Sequence, residues 1–199
     1  DVDTQRDFML PGGKLYVPGA ERILPQLEKL TYFARQRGIV IAGSVDRHFP
    51  GDPELLANGG EYPEHCMSGS EGQKKVEATM PRNPTWIENR EYAPEKLHAM
   101  LRHDGEIYIE KQRFDVFAGN QNAATVFDSL LRGKEDVIVY GVVTEICVRF
   151  AALGLLRTGK PVAVVRDAVQ ALDEARSEAF FEELRAAGGA MTTLVEIGV

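Results

Sequence analysis

What narrows the fold most is an alternation of short apolar runs with longer amphipathic ones. Residues 38–43 (GIVIAG), 106–110 (EIYIE), 136–140 (DVIVY), 161–165 (PVAVV) and 192–197 (TTLVEI) read as strands. Continuous apolar runs of this length suit a parallel sheet covered on both faces. Helical patterns fall between them. Residues 20–37 place Ile23, Leu24, Leu27, Leu30 and Phe33 near a 3.6 period and stop at Gly38. Residues 123–132 follow a candidate cap at Asn122, 144–158 open on the hydroxyl of Thr144, and 173–187 start at Asp173 and end at Gly188. The expectation is a three-layer α/β/α sandwich with a mainly parallel, roughly six-stranded, Rossmann-like sheet. Asp1 and Val2 are then the tail of a first strand, and the absence of Met suggests that residues are missing before Asp1.

Length points to one domain over 1–199, with a loop-rich insertion at about 73–105 that holds Pro81, Pro84 and the only Trp, Trp86. The net charge of −7 argues against nucleic acid, whose binders cluster Lys and Arg. The longest apolar stretch, 137–143, is far short of the ~20 residues of a membrane span, and no signal peptide is apparent. Two cysteines make no disulfide framework, so a reducing cytoplasm is the expected compartment.

Three groups of residues invite chemistry. Cys147 falls in the first turn of a helix after the strand that ends at Gly141. Unpaired amides there favour a thiolate and bind an oxyanion, although packing of helix on sheet is the plainer reading of Cys147 alone. Asp3 and Lys111 lie at two further strand ends, so one sheet edge would gather Asp3, Lys111 and Cys147; singly they read as a turn residue and a solvated one. Asp46 and His48 share one side of an extended chain, and His65 follows in the same long loop. A carboxylate and two imidazoles suit Zn, Fe or Mn with open positions for water or substrate, and a polar loop is the alternative. Cys66 reads as packing, and His98 and His103 as surface residues.

In order, Asp-x-Gln-x-Asp-Phe at 3–8, Asp-x-His at 46–48, Pro-x-His-Cys-x-x-Gly at 63–69, Lys111, and Gly-Val-x-Thr-x-x-Cys-Val at 141–148 resemble the isochorismatase-like cysteine hydrolases. Within them the chain most resembles the nicotinamidase (pyrazinamidase) branch. The resemblance implies a triad of Asp3, Lys111 and Cys147, and a cis peptide between Val142 and Val143. It implies an oxyanion hole from the backbone of Val143 and Cys147. It implies a divalent metal ion on Asp46, His48 and His65, with Glu54 as the candidate fourth ligand and Glu61 and Glu64 as others. Phe8 and Tyr62 would flank a pyridine ring. The implied activity is hydrolysis of nicotinamide to nicotinate and ammonia through a cysteine thioester, in NAD salvage, by a homo-oligomer that takes a small amide and no membrane or nucleic acid. Another amidase or hydrolase of the family, a metal-activated water, and a silent binding member are the alternatives. Departures from the pattern are Tyr62 where Trp is common, Glu145 where Asp is usual, and a long gap between His65 and Lys111.

Overall fold

The computed structural model describes residues 1–102, 104–134 and 136–199. Among the described residues six strands form: β1 (Ala42–Asp46), β2 (Thr85–Ile87), β3 (Ile107–Lys111), β4 (Val137–Val142), β5 (Val162–Gln170) and β6 (Ala190–Thr192). They pair in parallel as β1-β3-β2 and β4-β5-β6. Val2 joins the two halves through parallel bridges to Ser44 of β1 and Gly141 of β4. Its amide donates to Tyr140 O (2.8 Å), and its carbonyl accepts from Val142 N (3.0 Å).

Among the same residues, seven α-helices flank the strands: α1 (Arg6–Met9), α2 (Leu24–Gln36), α3 (Pro94–Leu101), α4 (Val116–Gly119), α5 (Ala123–Leu131), α6 (Arg149–Leu156) and α7 (Glu174–Ala186). Leu27 and Leu30 turn α2 onto one face of the sheet, against a cluster with Tyr140, Val142 and Val165. Val126 of α5, Ala151 and Leu155 of α6, and Phe180 and Leu184 of α7 pack on the other face with Val139, Val162 and Val164. Tyr140 and Val139 therefore serve opposite layers, as a strand's period of two requires. This is the α/β fold with parallel strands that the apolar runs implied.

Boundaries differ where tertiary partners decide them. The run at 38–43 forms a strand only from Ala42, because Ile39 and Val40 are 52% and 47% exposed on the rim of an apolar groove between β1 and β4. A strand forms where a neighbour satisfies its backbone, and β3 first reaches the chain at Ile41 O. At the carboxyl terminus, β6 ends at Thr192, since the Asp167 carboxylate captures Leu194 N (3.1 Å) and the chain turns. Asn122 makes no cap; its side-chain amide instead donates to Glu88 O and Arg90 O. Thr144 makes no cap either: 144–148 is a wide π-type turn in which Ile146 N and Val148 N both reach Val143 O. Asp173 does cap α7, accepting from Arg176 N (3.0 Å). Within 73–105 the chain forms β2, which pairs with β3, and α3. His98 is exposed, whereas His103 lies outside the described residues. Among the described residues, no helix is long and apolar enough to cross a membrane.

Candidate active site

Parallel strands end on one side of a sheet, and the side chains at those ends meet there. Asp46 and Lys111 are the last residues of the paired β1 and β3 and stand opposite each other in register. Asp3 follows Val2 with a left-handed φ of 48°, where the chain turns out of the sheet into α1. Cys147 sits in the turn after β4.

Lys111 Nζ lies 2.9 Å from Asp3 Oδ2, donates to Asp46 Oδ1, and reaches Cys147 Sγ at 3.7 Å. Asp3 Oδ1 accepts from Ser44 Oγ (2.7 Å), while Asp3 Oδ2 accepts no well-aligned hydrogen bond despite its closeness to Lys111. All five side chains are buried. Burial pushes the Cys147 thiol well above its ordinary value, and Lys111 opposes that shift. Burial also works against the Lys111 charge, but Asp3, Asp46 and Cys147 outweigh it and hold the ammonium well above its usual range. The Asp46 carboxyl, likewise penalised by burial, is held far below its usual range by Lys111 and by the two nearby imidazoles. The peptide between Val142 and Val143 is cis.

Beside this cluster, Asp46, His48 and His65 offer ligand atoms that all lie within 4.8 Å of one another. Asp46 Oδ2 is 3.8 Å from His48 Nε2 and 3.6 Å from His65 Nε2. Each imidazole is held by its other nitrogen: His48 Nδ1 lies 3.1 Å from Asp52 Oδ2, and His65 Nδ1 lies 2.8 Å from Pro63 O. That leaves both Nε2 atoms turned to the same point, and His48 Nε2 is a buried polar atom with no partner. An orphaned imidazole nitrogen facing a carboxylate and a second imidazole fits a divalent cation.

A small pocket opens onto both groups. Phe8, Leu15, Val17, Tyr62, Phe114 and Ile146 form apolar walls around Asp46, His65 and Cys147. Phe8 and Tyr62 lie against the His65 ring at centroid distances of 5.5 and 6.2 Å. Glu54 lines this pocket but is not one of the three mutually close ligand groups. Burial and the nearby Asp46 push its carboxyl up to about 7. Glu61 and Glu64 are exposed. Glu145 is buried and accepts from Leu172 N (3.0 Å) and Asp173 N (2.9 Å), which brings Leu172 to the pocket wall. Cys66 packs in the α2-side core.

Sequence reasoning did not find Ser44, Asp52, Phe114 or Leu172. Asp52 had a local signal, four residues after His48. Phe114 and Leu172 had none, because they come to the pocket from separate loops. The larger groove between β1 and β4, about 670 Å³, holds none of the residues singled out for chemistry.

A family description, the isochorismatase domain, matches residues 2–196. The chain belongs to the isochorismatase family. It is thus a hydrolase of that family. The nicotinamidase of Escherichia coli (strain K12) is 26% identical over 217 residues, covering 98% of this chain and 93% of that protein. Among solved structures, the pyrazinamidase of Pyrococcus horikoshii in complex with zinc is 27% identical with a TM-score of 0.74, covering 96% of each chain. The N-carbamoylsarcosine amidase of Thermoplasma acidophilum has a TM-score of 0.72 at 24% identity over 100% of this chain and 96% of its own, a likeness of fold alone.

Proposed function

We propose that this family hydrolase is an amidohydrolase of the nicotinamidase kind, cleaving nicotinamide to nicotinate and ammonia through a thioester on Cys147. The observation that carries the reading is the meeting of Asp3, Lys111 and Cys147 around one ammonium, beside a carboxylate and two imidazoles fitted to a cation. A small pocket with apolar walls that include Phe8 and Tyr62 suits a small aromatic amide. The relatives named nicotinamidase and pyrazinamidase support the choice of substrate.

Asp46, His48 and His65 would hold a divalent ion (Zn, Fe or Mn), which when bound supplies a Lewis-acidic anchor for the pyridine nitrogen. The protein's own groups carry the bond changes. Asp3 Oδ2, the oxygen left without a well-aligned donor, takes the thiol proton of Cys147 as the sulfur attacks the carboxamide carbon. Lys111 stabilises the thiolate through charge. The backbone amides of Val143 and Cys147 receive the oxyanion; one such donor is typically worth about 10²–10³ in rate. Asp3 returns its proton to the departing nitrogen, and ammonia leaves. Water then gives a proton to Asp3 and its oxygen attacks the thioester carbon. The sulfur departs and recovers the proton from Asp3, and the released acid ionises to nicotinate in solvent.

The test is a coupled ammonia assay with nicotinamide and a panel of small amides, with and without a chelator. Ammonia release from nicotinamide that falls on chelation is expected; release from a different amide alone would move the chain to another amidase of the family. Cys147→Ala is expected to abolish turnover while the protein still binds the ion. Substantial turnover by that variant would reject a thioester route in favour of an activated water.

A further inference from the structure

The side chain of Gln5 spends its whole carboxamide on main chain. Nε2 donates to Asp46 O (2.7 Å) and to Gln73 O (2.8 Å), and Oε1 accepts from Asp46 N (2.7 Å). The residue is fully buried. Its position explains why. The amino-terminal segment runs along β1 as a ladder: Ser44 N donates to Asp1 O, and Asp3 N donates to Ser44 O. At Asp3 the chain turns away, so the next groups of β1 on that side, Asp46 N–H and C=O, lose their strand neighbour. A buried peptide group without partners costs about 1–3 kcal/mol. The Gln5 carboxamide has the same donor and acceptor as a peptide, and it continues the ladder by one more step.

We propose that Gln5 is the positioning residue of the divalent-cation site. By gripping both backbone groups of Asp46, it sets where that carboxylate stands relative to the Nε2 atoms of His48 and His65. Its third bond, to Gln73 O, ties the same point to the segment that pairs with Gln5 and Arg6, where Lys75 bridges Gln5 and Lys74 O accepts from Arg6 N. Gln5 N also donates to Asp3 O (2.7 Å), so the turn that carries Asp3 and the strand end that carries Asp46 form one unit. The inference rests on the reading of Asp46, His48 and His65 as metal ligands. Gln5 itself touches neither ion nor substrate.

The experiment measures Zn²⁺ and Mn²⁺ affinity, by competition with a chromophoric chelator, for the unsubstituted protein and for Gln5→Met and Gln5→Glu, each checked for native circular dichroism. Loss of a partner that orients a ligand typically weakens metal binding about 10–100-fold, and that loss is expected for Gln5→Met. Gln5→Glu separates positioning from charge. A carboxylate near the cation would tighten binding by simple attraction, whereas here it would face two carbonyl oxygens and displace Asp46, so weaker binding is expected. Unchanged affinity in Gln5→Met, or tighter binding in Gln5→Glu, would overturn the proposal. If neither variant folds, amide hydrogen exchange at Asp46 in the unsubstituted protein decides it: slow exchange supports the grip of Gln5, and fast exchange overturns it. A protein that binds neither ion overturns the metal reading itself, and this inference with it.

Discussion

The Lys111 ammonium is shared by Asp3, Asp46 and Cys147, and its replacement separates their energetics. Lys111→Met leaves two buried carboxylates without their cation. Breaking a buried pair in this way typically costs about 3–5 kcal/mol, to be read from urea unfolding. The same change removes the charge that opposes burial at Cys147. The thiol rises further, so the pH curve for iodoacetamide alkylation moves to higher pH; a curve that stays put would contradict the proposed role of Lys111. Asp46 gives a second pH test. Its folded carboxyl lies below the ordinary value of 3.8, so it contributes stability above that pH and loses it as pH falls. Metal-free protein should therefore melt at progressively lower temperature below about pH 3.8, and Asp46→Asn should flatten that dependence.

Strands and turns were legible to different depths. The β3 run is an example of a correct strand with a misleading texture: residues 106–110 (EIYIE) carry a charge at each end, and β3 itself closes on Glu110 and Lys111, yet all five residues of β3 are buried. Arg47 covers Glu110 (2.8 Å), and the site covers Lys111, which no local pattern announces. β4 shows why some positions tolerate only one residue. Gly141 has φ +121°, and a Cβ there would lie 2.1 Å from Val2 O, the oxygen that accepts from Val142 N. Gly141→Ala must push Val2 off β4 and separate the two halves of the sheet. A loss of about 3 kcal/mol or more in urea unfolding is expected from strain and overpacking together. A wild-type midpoint for that variant would mean that Val2 contributes little to joining the halves.

At the scale of the molecule, the candidate cation links strand β1 to the loop that carries His65. An ion that binds only the folded chain stabilises it by mass action, by about 2.7 kcal/mol at a hundredfold excess over Kd. Thermal melts with added Zn²⁺ are expected to shift upward, and a chelator to reverse the shift. No shift at saturating metal would argue that the three ligands do not act together. The Asp7 carboxylate supports the same arrangement without metal: it accepts from Cys66 N (2.7 Å) and Lys14 N (3.0 Å), fastening the turn beside His65 to α1.

Read alone, the chain already determined its α/β class, its parallel strands, and the residues whose chemistry the strand ends would gather. Apolar periodicity and motif order are local, and parallel strands place their carboxyl ends on one edge by geometry. Tertiary structure alone decided where the run at 38–43 becomes a strand, that Asn122 ties a distant segment instead of capping, and that Glu54 lines the pocket outside the close group of Asp46, His48 and His65. It also decided that Phe114 and Leu172 line the pocket and that Gln5, a position of the first motif, bonds the backbone of Asp46. Those outcomes depend on which backbone groups find partners, and those partners lie tens of residues away along the chain.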